Sequence, residues 1–211
     1  MEIGYGSFDK TCGHRMLSED VRRAIRALID REVVPAVGCT EPVAVALATA
    51  RATELARSVP ASEDASVCSV NARLSGNIVK NAMGVGIPGT GMTGLPIAIG
   101  LGAVIGDSSR GLEVLGAVTP ENVEQARILT LKDGGINIEL AEDADDILYI
   151  DVEVCLTDGH RGRAVISGGH DRFVRTEADG AQVGDMALES GRTKEAAQKE
   201  EPELSLRVVW D

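Results

Sequence analysis

Hydrophobic and polar positions divide the chain into segments of different period. From Ser18 the spacing is helical: Val21, Ile25, Leu28, Ile29 and Val33 recur at helical intervals, Ser18 stands as the N-cap, and Glu19 and Asp20 occupy the first turn, where the helix dipole favours acids. Pro35 ends this helix. A short break, residues 36–40, leads into a second helix. Thr40 is expected as its cap, with Glu41 in the first turn and Pro42 where a missing N–H costs nothing. Val43, Ala46, Leu47, Ala50 and Leu55 form its apolar face, and its many alanines allow another element to approach closely. Residues 58–64 read as a loop.

Residues 66–74 switch to a period of two. Cys68, Val70, Ala72 and Leu74 lie on one side and Ser69, Asn71 and Arg73 on the other, which predicts a half-buried strand with Cys68 in the core. The segment SGNIVKNAMGVGIPGTGMTGLP, from Ser75 to Pro96, is dense in glycine. The apolar run from Gly94 to Gly106 is too short to span a bilayer and predicts a buried helix over Leu95–Ile105. Another helix is predicted over Pro120–Lys132, capped by Thr119, with Glu121 and Glu124 in its first turns. In the last third, Ile136–Leu140, Ile147–Leu156, Gly162–Ser167 and Arg172–Glu177 read as strands, with Asp158-Gly159 and Gly168-Gly169 as turn signals. That pattern predicts an antiparallel meander. No internal repeat is present. The expected organisation is an irregular segment over 1–17, one domain over 18–178, and a polar tail or linker over 179–211 that includes the charged run Lys194–Glu203. The expected fold class is α+β, with the N-terminal and central helices packed on a mainly antiparallel sheet.

Composition narrows this picture. The chain has 211 residues, 44% of them hydrophobic, which is enough for a real core and excludes a disordered chain. Aromatics are only 2%, so the core must be built from Ala, Val, Ile and Leu. With 21 basic and 33 acidic residues the net charge is −12, which argues against nucleic acid and against an anionic membrane surface as partners. The N-terminus has no apolar export region, so a cytoplasmic setting is expected. The four cysteines, Cys12, Cys39, Cys68 and Cys155, form no C-x-x-C pair, and burial as small hydrophobes is their default reading.

Two segments could carry chemistry. In Gly38-Cys39-Thr40-Glu41-Pro42 the helix begins just after Cys39, and the dipole favours a thiolate there, which a nucleophilic or basic cysteine requires. Glu41 opposes this unless it points away; the bland reading is a thiol filling a helix-start corner. In the loop around Gly86, Pro88, Gly89, Thr90 and Gly91, consecutive N–H groups leading to a helix start could form an anion nest suited to a substrate carboxylate. The bland reading there is a loop packed between helices. The segment matches neither the P-loop nor the dinucleotide fingerprint. Asn71, Ser75, Asn77, Lys80 and Asn81 form a polar set just before it, and Lys80 could pair with a carboxylate or simply be solvated. Cys12 and His14 make a weak metal signal, His160 reads as solvated in a turn, and His170 as a turn residue.

The segments PAVGCTEPVAVALATA, LSGNIVKNAMGVGIPGTGMTGLPIAIGLGAVIG and GLEVLGAVTPENVEQA, with the strand pair ending GGHDRFV, resemble the L-cysteine desulfidase family, related to the alpha portion of iron–sulfur L-serine dehydratases. The resemblance covers roughly residues 25–178. It implies a 4Fe-4S lyase that converts L-cysteine, or L-serine, to pyruvate and ammonia with release of hydrogen sulfide or water. It assigns Cys39 as the base that removes the α-proton and the Gly86–Gly91 loop to substrate binding, with Asn77, Lys80 and Asn81 beside it. The resemblance places the cluster cysteines in a C-terminal half outside this chain, so no metal ligand is assigned here. His170-Asp171-Arg172 departs from the family's histidine-threonine-asparagine turn. The expected partners are a small amino acid and a C-terminal half or second subunit, with a homo-oligomer as a further option. The alternative expectation is a non-catalytic module that binds a small anion or a partner.

Overall fold

The computed structural model describes residues 18–33, 35–60 and 65–183. The segment 1–17 with Cys12 and His14, residues 61–64 and the tail beyond 183 lie outside the described residues. The chain divides into two units, one formed by Met1–Val34 with Lys194–Asp211 and the other by Pro35–Thr193. In the first, α1 spans Glu19–Glu32, and the Ser18 hydroxyl accepts the Val21 N–H at 3.4 Å, the cap its sequence predicts.

The second unit is an α+β fold. Its helices are α2 (Thr40–Arg57), α3 (Gly76–Ala82), α4 (Leu95–Ile105) and α5 (Pro120–Leu131), with a kinked 3₁₀ segment over Ser108–Ala117. Its strands are β1 (Val67–Leu74), β2 (Ile136–Leu140), β3 (Tyr149–Leu156), β4 (Arg161–Ser167), β5 (Phe173–Ala178) and β6 (Ala181–Gln182), in the spatial order β2-β1-β3-β4-β5-β6. The meander expectation holds for β3, β4 and β5, which pair antiparallel in succession, and β6, within the segment expected to be a polar tail, extends it. It fails for β2, which pairs parallel to β1, Ala72 opposite Ile138. The long connection between them carries three helices, and such a crossover returns the chain in the same direction.

α2 is buried on all sides from Pro42 to Ala56, apart from Arg51 and Glu54, rather than along one stripe. It lies against β3 and β4 on one side and against α4 and the 3₁₀ segment on another. Small residues make this possible. A Cβ on Gly102 of α4 would collide with the Ala46 carbonyl, and one on Gly162 of β4 would collide with the Ala52 carbonyl and the Ala56 N–H. Thr49 and Thr53, fully buried, donate their hydroxyls back to the carbonyls of Val45 and Thr49 at 2.8 and 2.9 Å. The Ala46–Gly102 and Thr53–Gly106 approaches ascend together, so α2 and α4 run in the same sense. α5 packs on α4, with Ala126 against Gly100. Thr119 and Asn122 cap α5 reciprocally, a capping box closed by Asn rather than by an acid.

The sheet has two unlike faces. Val70, Ala72, Leu74, Ile150, Val152, Val154 and Leu156 point to the helices and are buried. The other face carries a row across β1, β3, β4 and β5: Arg73, Asp151, Arg163, Glu177 and Arg175. Arg163 grips Asp151 with two hydrogen bonds of 2.8 and 2.7 Å, and reaches Glu177 at 3.6 Å. Asp151 is only 5% exposed. One strand position departs from the expected alternation. The β1–β3 register shifts between Val67 and Ser69, so Cys68 and Ser69 together oppose Cys155. This bulge takes Cys68 out of the apolar face, and the residue is half-buried rather than in the core.

Candidate functional site

Gly38 adopts φ +95°, which glycine alone accepts readily, and turns the chain into α2 one residue earlier than expected. Cys39 is therefore the N-cap residue, and Thr40, expected as the cap, is the first helical residue. No side chain closes this helix start. The Thr40 hydroxyl instead donates to Glu41 Oε2 at 3.3 Å.

Glu41 does not point away from Cys39. The Cys39 thiol donates to Glu41 Oε2 at 3.0 Å, and Asn81 of α3 donates its amide to Glu41 Oε1 at 3.1 Å. Asn77, one turn earlier, accepts from Asn81 at 3.5 Å. The hydrogen bond to Glu41 is the first cause that pushes the Cys39 thiol above its ordinary range, followed by burial; the carboxylate charge adds to both. The same hydrogen bond holds the Glu41 carboxyl below its ordinary range, helped by Asn81 and Thr40. The dipole expectation of a resting thiolate is thus overturned. A carboxylate at hydrogen-bond distance outweighs a helix terminus, whose effect is about 0.3–1 kcal/mol. The result is a half-buried thiol–carboxylate pair.

The glycine loop touches the residue before Cys39 through Pro88, whose ring lies about 3.0 Å from where a Gly38 Cβ would be. The loop is a small hairpin rather than an open nest. Gly86 and Thr93 form an antiparallel bridge, Ile87 N–H donates to Met92 O at 2.9 Å, and Gly94 N–H donates to Val85 O at 2.9 Å. The Thr90 hydroxyl donates to Ile87 O at 2.7 Å and accepts the Met92 N–H at 2.9 Å. Thr90 therefore shapes the loop. Gly89 and Gly91 take φ +76° and +66°; Gly89 abuts Val118, while Gly86 and Gly91 have open space beside them. Lys80 is exposed on the last turn of α3. The structure thus links Cys39, Asn81 and Asn77 through a member that the site expectation left out, Glu41, sets Pro88 beside Gly38, and makes Thr90 internal to its loop. Its signal was present in the sequence: an acid two residues after a helix-start cysteine either repels the thiol or accepts its proton.

One other expectation changes. His160 is not simply solvated; its Nδ1 lies 2.6 Å from Asp179 Oδ2. Among the described residues, no three His, Cys, Asp or Glu side chains converge as a metal site. Nor is any described helix long and apolar enough to cross a membrane.

Fold and site define an α+β protein with a thiol–carboxylate pair at the start of a buried helix, and a glycine-rich hairpin that touches the preceding residue, Gly38. The chain is similar to the UPF0597 protein of Bacteroides fragilis, at 48% identity over 196 residues, covering 92% of this chain and 43% of that protein. It is similar to the UPF0597 protein of Phocaeicola vulgatus at 45% identity over 196 residues, 93% of this chain and 43% of that one. The counterpart from Aeromonas hydrophila is 42% identical over 184 residues, 86% and 39%. The chain spans less than half the length of these curated relatives, and their shared name states no activity. No family model matches the chain. No solved structure matches it.

Proposed function

We propose that this chain is the substrate-binding part of an amino acid lyase of the L-cysteine desulfidase kind, acting on L-cysteine or L-serine in the cytoplasm. The observation that carries the reading is the Cys39–Glu41 pair, joined to Asn81. The described residues do not supply a cluster ligand set, so no step here runs through an iron–sulfur group; the proposal places its ligands on a further segment or subunit.

The resting state holds the proton on Cys39 and the charge on Glu41. A bound amino acid brings an ammonium group, and Glu41 is the carboxylate available to receive it. Once Glu41 turns to the ammonium, the thiol loses the hydrogen bond that keeps it protonated and releases its proton to solvent, and Cys39, now a thiolate, can act as base. It takes the Cα proton; the electron pair forms the Cα–Cβ double bond and expels sulfide, or hydroxide, from Cβ. The aminoacrylate released becomes an imine, and water converts it to pyruvate and ammonia. Asn77 and Asn81 orient Glu41, and the open space beside Gly86 and Gly91 admits the substrate backbone.

The test is anaerobic assay of pyruvate from L-cysteine, with the chain reconstituted with iron and sulfide and joined to the remaining length of a UPF0597 relative. The expected result is turnover that falls by about 10³-fold or more in Cys39→Ser, the scale of losing a positioned base. Full activity in that variant removes Cys39 as the base. Absence of any pyruvate from an assembled protein that has bound iron and sulfide removes the lyase reading.

A further inference from the structure

We propose that Cys68 and Cys155 form a redox-active dithiol, which closes to an intramolecular disulfide on reaction with a low-molecular-weight disulfide such as oxidised glutathione. The bulge in β1 places Cys68 and Ser69 together opposite Cys155. The Cys68 thiol lies 3.8 Å from the Ser69 hydroxyl, and both cysteine thiols reach the same carbonyl, Leu156 O, at 3.5 Å each. Two sulfurs at that distance from one oxygen are neighbours, and the register pairs Cys155 with Ser69, the residue next to Cys68, so the disulfide joins adjacent positions across the bulge. Both residues are half-buried, so a small reagent can reach them. The bulge is fixed from a second side, because Lys132 Nζ, just after α5, donates to Cys68 O at 2.9 Å.

The chemistry balances as two exchanges. One protein thiolate attacks a sulfur of the small disulfide, forming a mixed disulfide and releasing one small thiol. The second protein thiolate attacks the protein sulfur of that bond and releases the other. Two cysteine thiols are oxidised to one disulfide, and one small disulfide is reduced to two thiols. The dithiol is separate from the Cys39 site. Cys155 neighbours Val154, which pairs with Gly162, and Gly162 packs on Ala52 and Ala56 toward the C-terminal end of α2, whereas Cys39 is at its N-terminal end. The inference therefore stands whether or not the chain is a lyase.

The test incubates the full chain with oxidised glutathione, digests it with trypsin without reduction and maps the peptides by mass spectrometry. Cleavage after Arg57, Arg73, Lys132 and Arg161 puts the two cysteines on different peptides. The expected result is a linked Cys68–Cys155 peptide pair, two hydrogens lighter than the separate peptides, that separates on adding dithiothreitol. Cys68→Ser should abolish the link and leave Cys155 as a lasting glutathione adduct. Separate stable adducts on both cysteines of the unsubstituted chain, or both thiols staying free while Cys39 or Cys12 reacts, would overturn the proposal. The map of the unsubstituted chain decides the matter even if the variant does not fold.

Discussion

On the helix-covered face of the sheet, order comes from shape. Ala164, Val152 and Ala72 stand side by side across β4, β3 and β1, and Gly162 lets the backbone of α2 approach within contact of β4. On the other face, order comes from partners: Arg73, Asp151, Arg163, Glu177 and Arg175 alternate in charge along one row. The two faces should fail differently. A packed face cannot absorb added volume, because its neighbours are backbone atoms. A charged face tolerates loss at its rim and suffers where an ion is buried, because solvent screens the rim.

The largest effect is expected for Gly162→Val. Its side chain would meet the Ala52 carbonyl and the Ala56 N–H, neither of which can swing aside, and the loss should be about 3 kcal/mol or more. Urea denaturation followed by circular dichroism measures it; an unchanged midpoint would mean that α2 does not press on β4. Next is Asp151→Ala, which strips Arg163 of its bidentate partner. A fully buried pair would lose about 3–5 kcal/mol, but the Arg163 side chain is 30% exposed and keeps Glu177, so about 2 kcal/mol is expected. Arg175→Ala, at the exposed end of the same row, should cost under about 0.5 kcal/mol. Equal losses from these two variants would erase the distinction between centre and rim.

The Cys39–Glu41 pair extends the contrast to reactivity, since a partner rather than packing is the main thing that keeps the thiol protonated. Glu41→Gln removes the charge and weakens the acceptor, so the Cys39 pKa should fall. Alkylation of Cys39 by iodoacetamide near neutral pH should then quicken severalfold, read peptide by peptide. A slower or unchanged rate would show that burial, not Glu41, sets the pKa. The smallest effect lies at the exposed end of β4. The Asp179 carboxylate, through its hydrogen bond, raises the His160 pKa above the ordinary 6.5. A raised folded pKa means that the contact stabilises fully below the unfolded value and is lost as pH rises through the folded one. Asp179→Asn should move the imidazole titration seen by NMR back toward 6.5; an unmoved midpoint would deny the contact.

Much of the second unit was legible in the sequence. Leu95–Ile105 is α4 to the residue, because a glycine stands at each end and the run between is apolar. Thr119 caps α5 as expected, and the four predicted strands of the last third fall within two residues of their bounds, while β6 lies in the segment expected as tail. α3 was seen only as a polar set before the loop, since seven residues give too little periodicity. The cap of α2 was misplaced because Thr looks like a better cap than Cys, while the positive φ of Gly38 governs where the helix turns in. At the site, Cys39 and the asparagines were legible from residue type and order. That the carboxylate of Glu41 faces the thiol depends on rotamers and on Asn81, brought by a different helix.

Local pattern alone thus determined most of the elements, the α+β class and the near-absence of aromatic packing, because period, caps and glycines act within a few residues. Tertiary structure decided what pairs with what. β2 runs parallel to β1 because three helices intervene and carry the chain back over the sheet. Cys68 leaves the core and meets Cys155 because a bulge against β3 shifts the register, and no alternation within β1 records its partner strand. Cys39 rests as a thiol because the fold turns Glu41 to it and holds that carboxylate with Asn81, and hydrogen bonds at about 3 Å depend on positions that only packing sets.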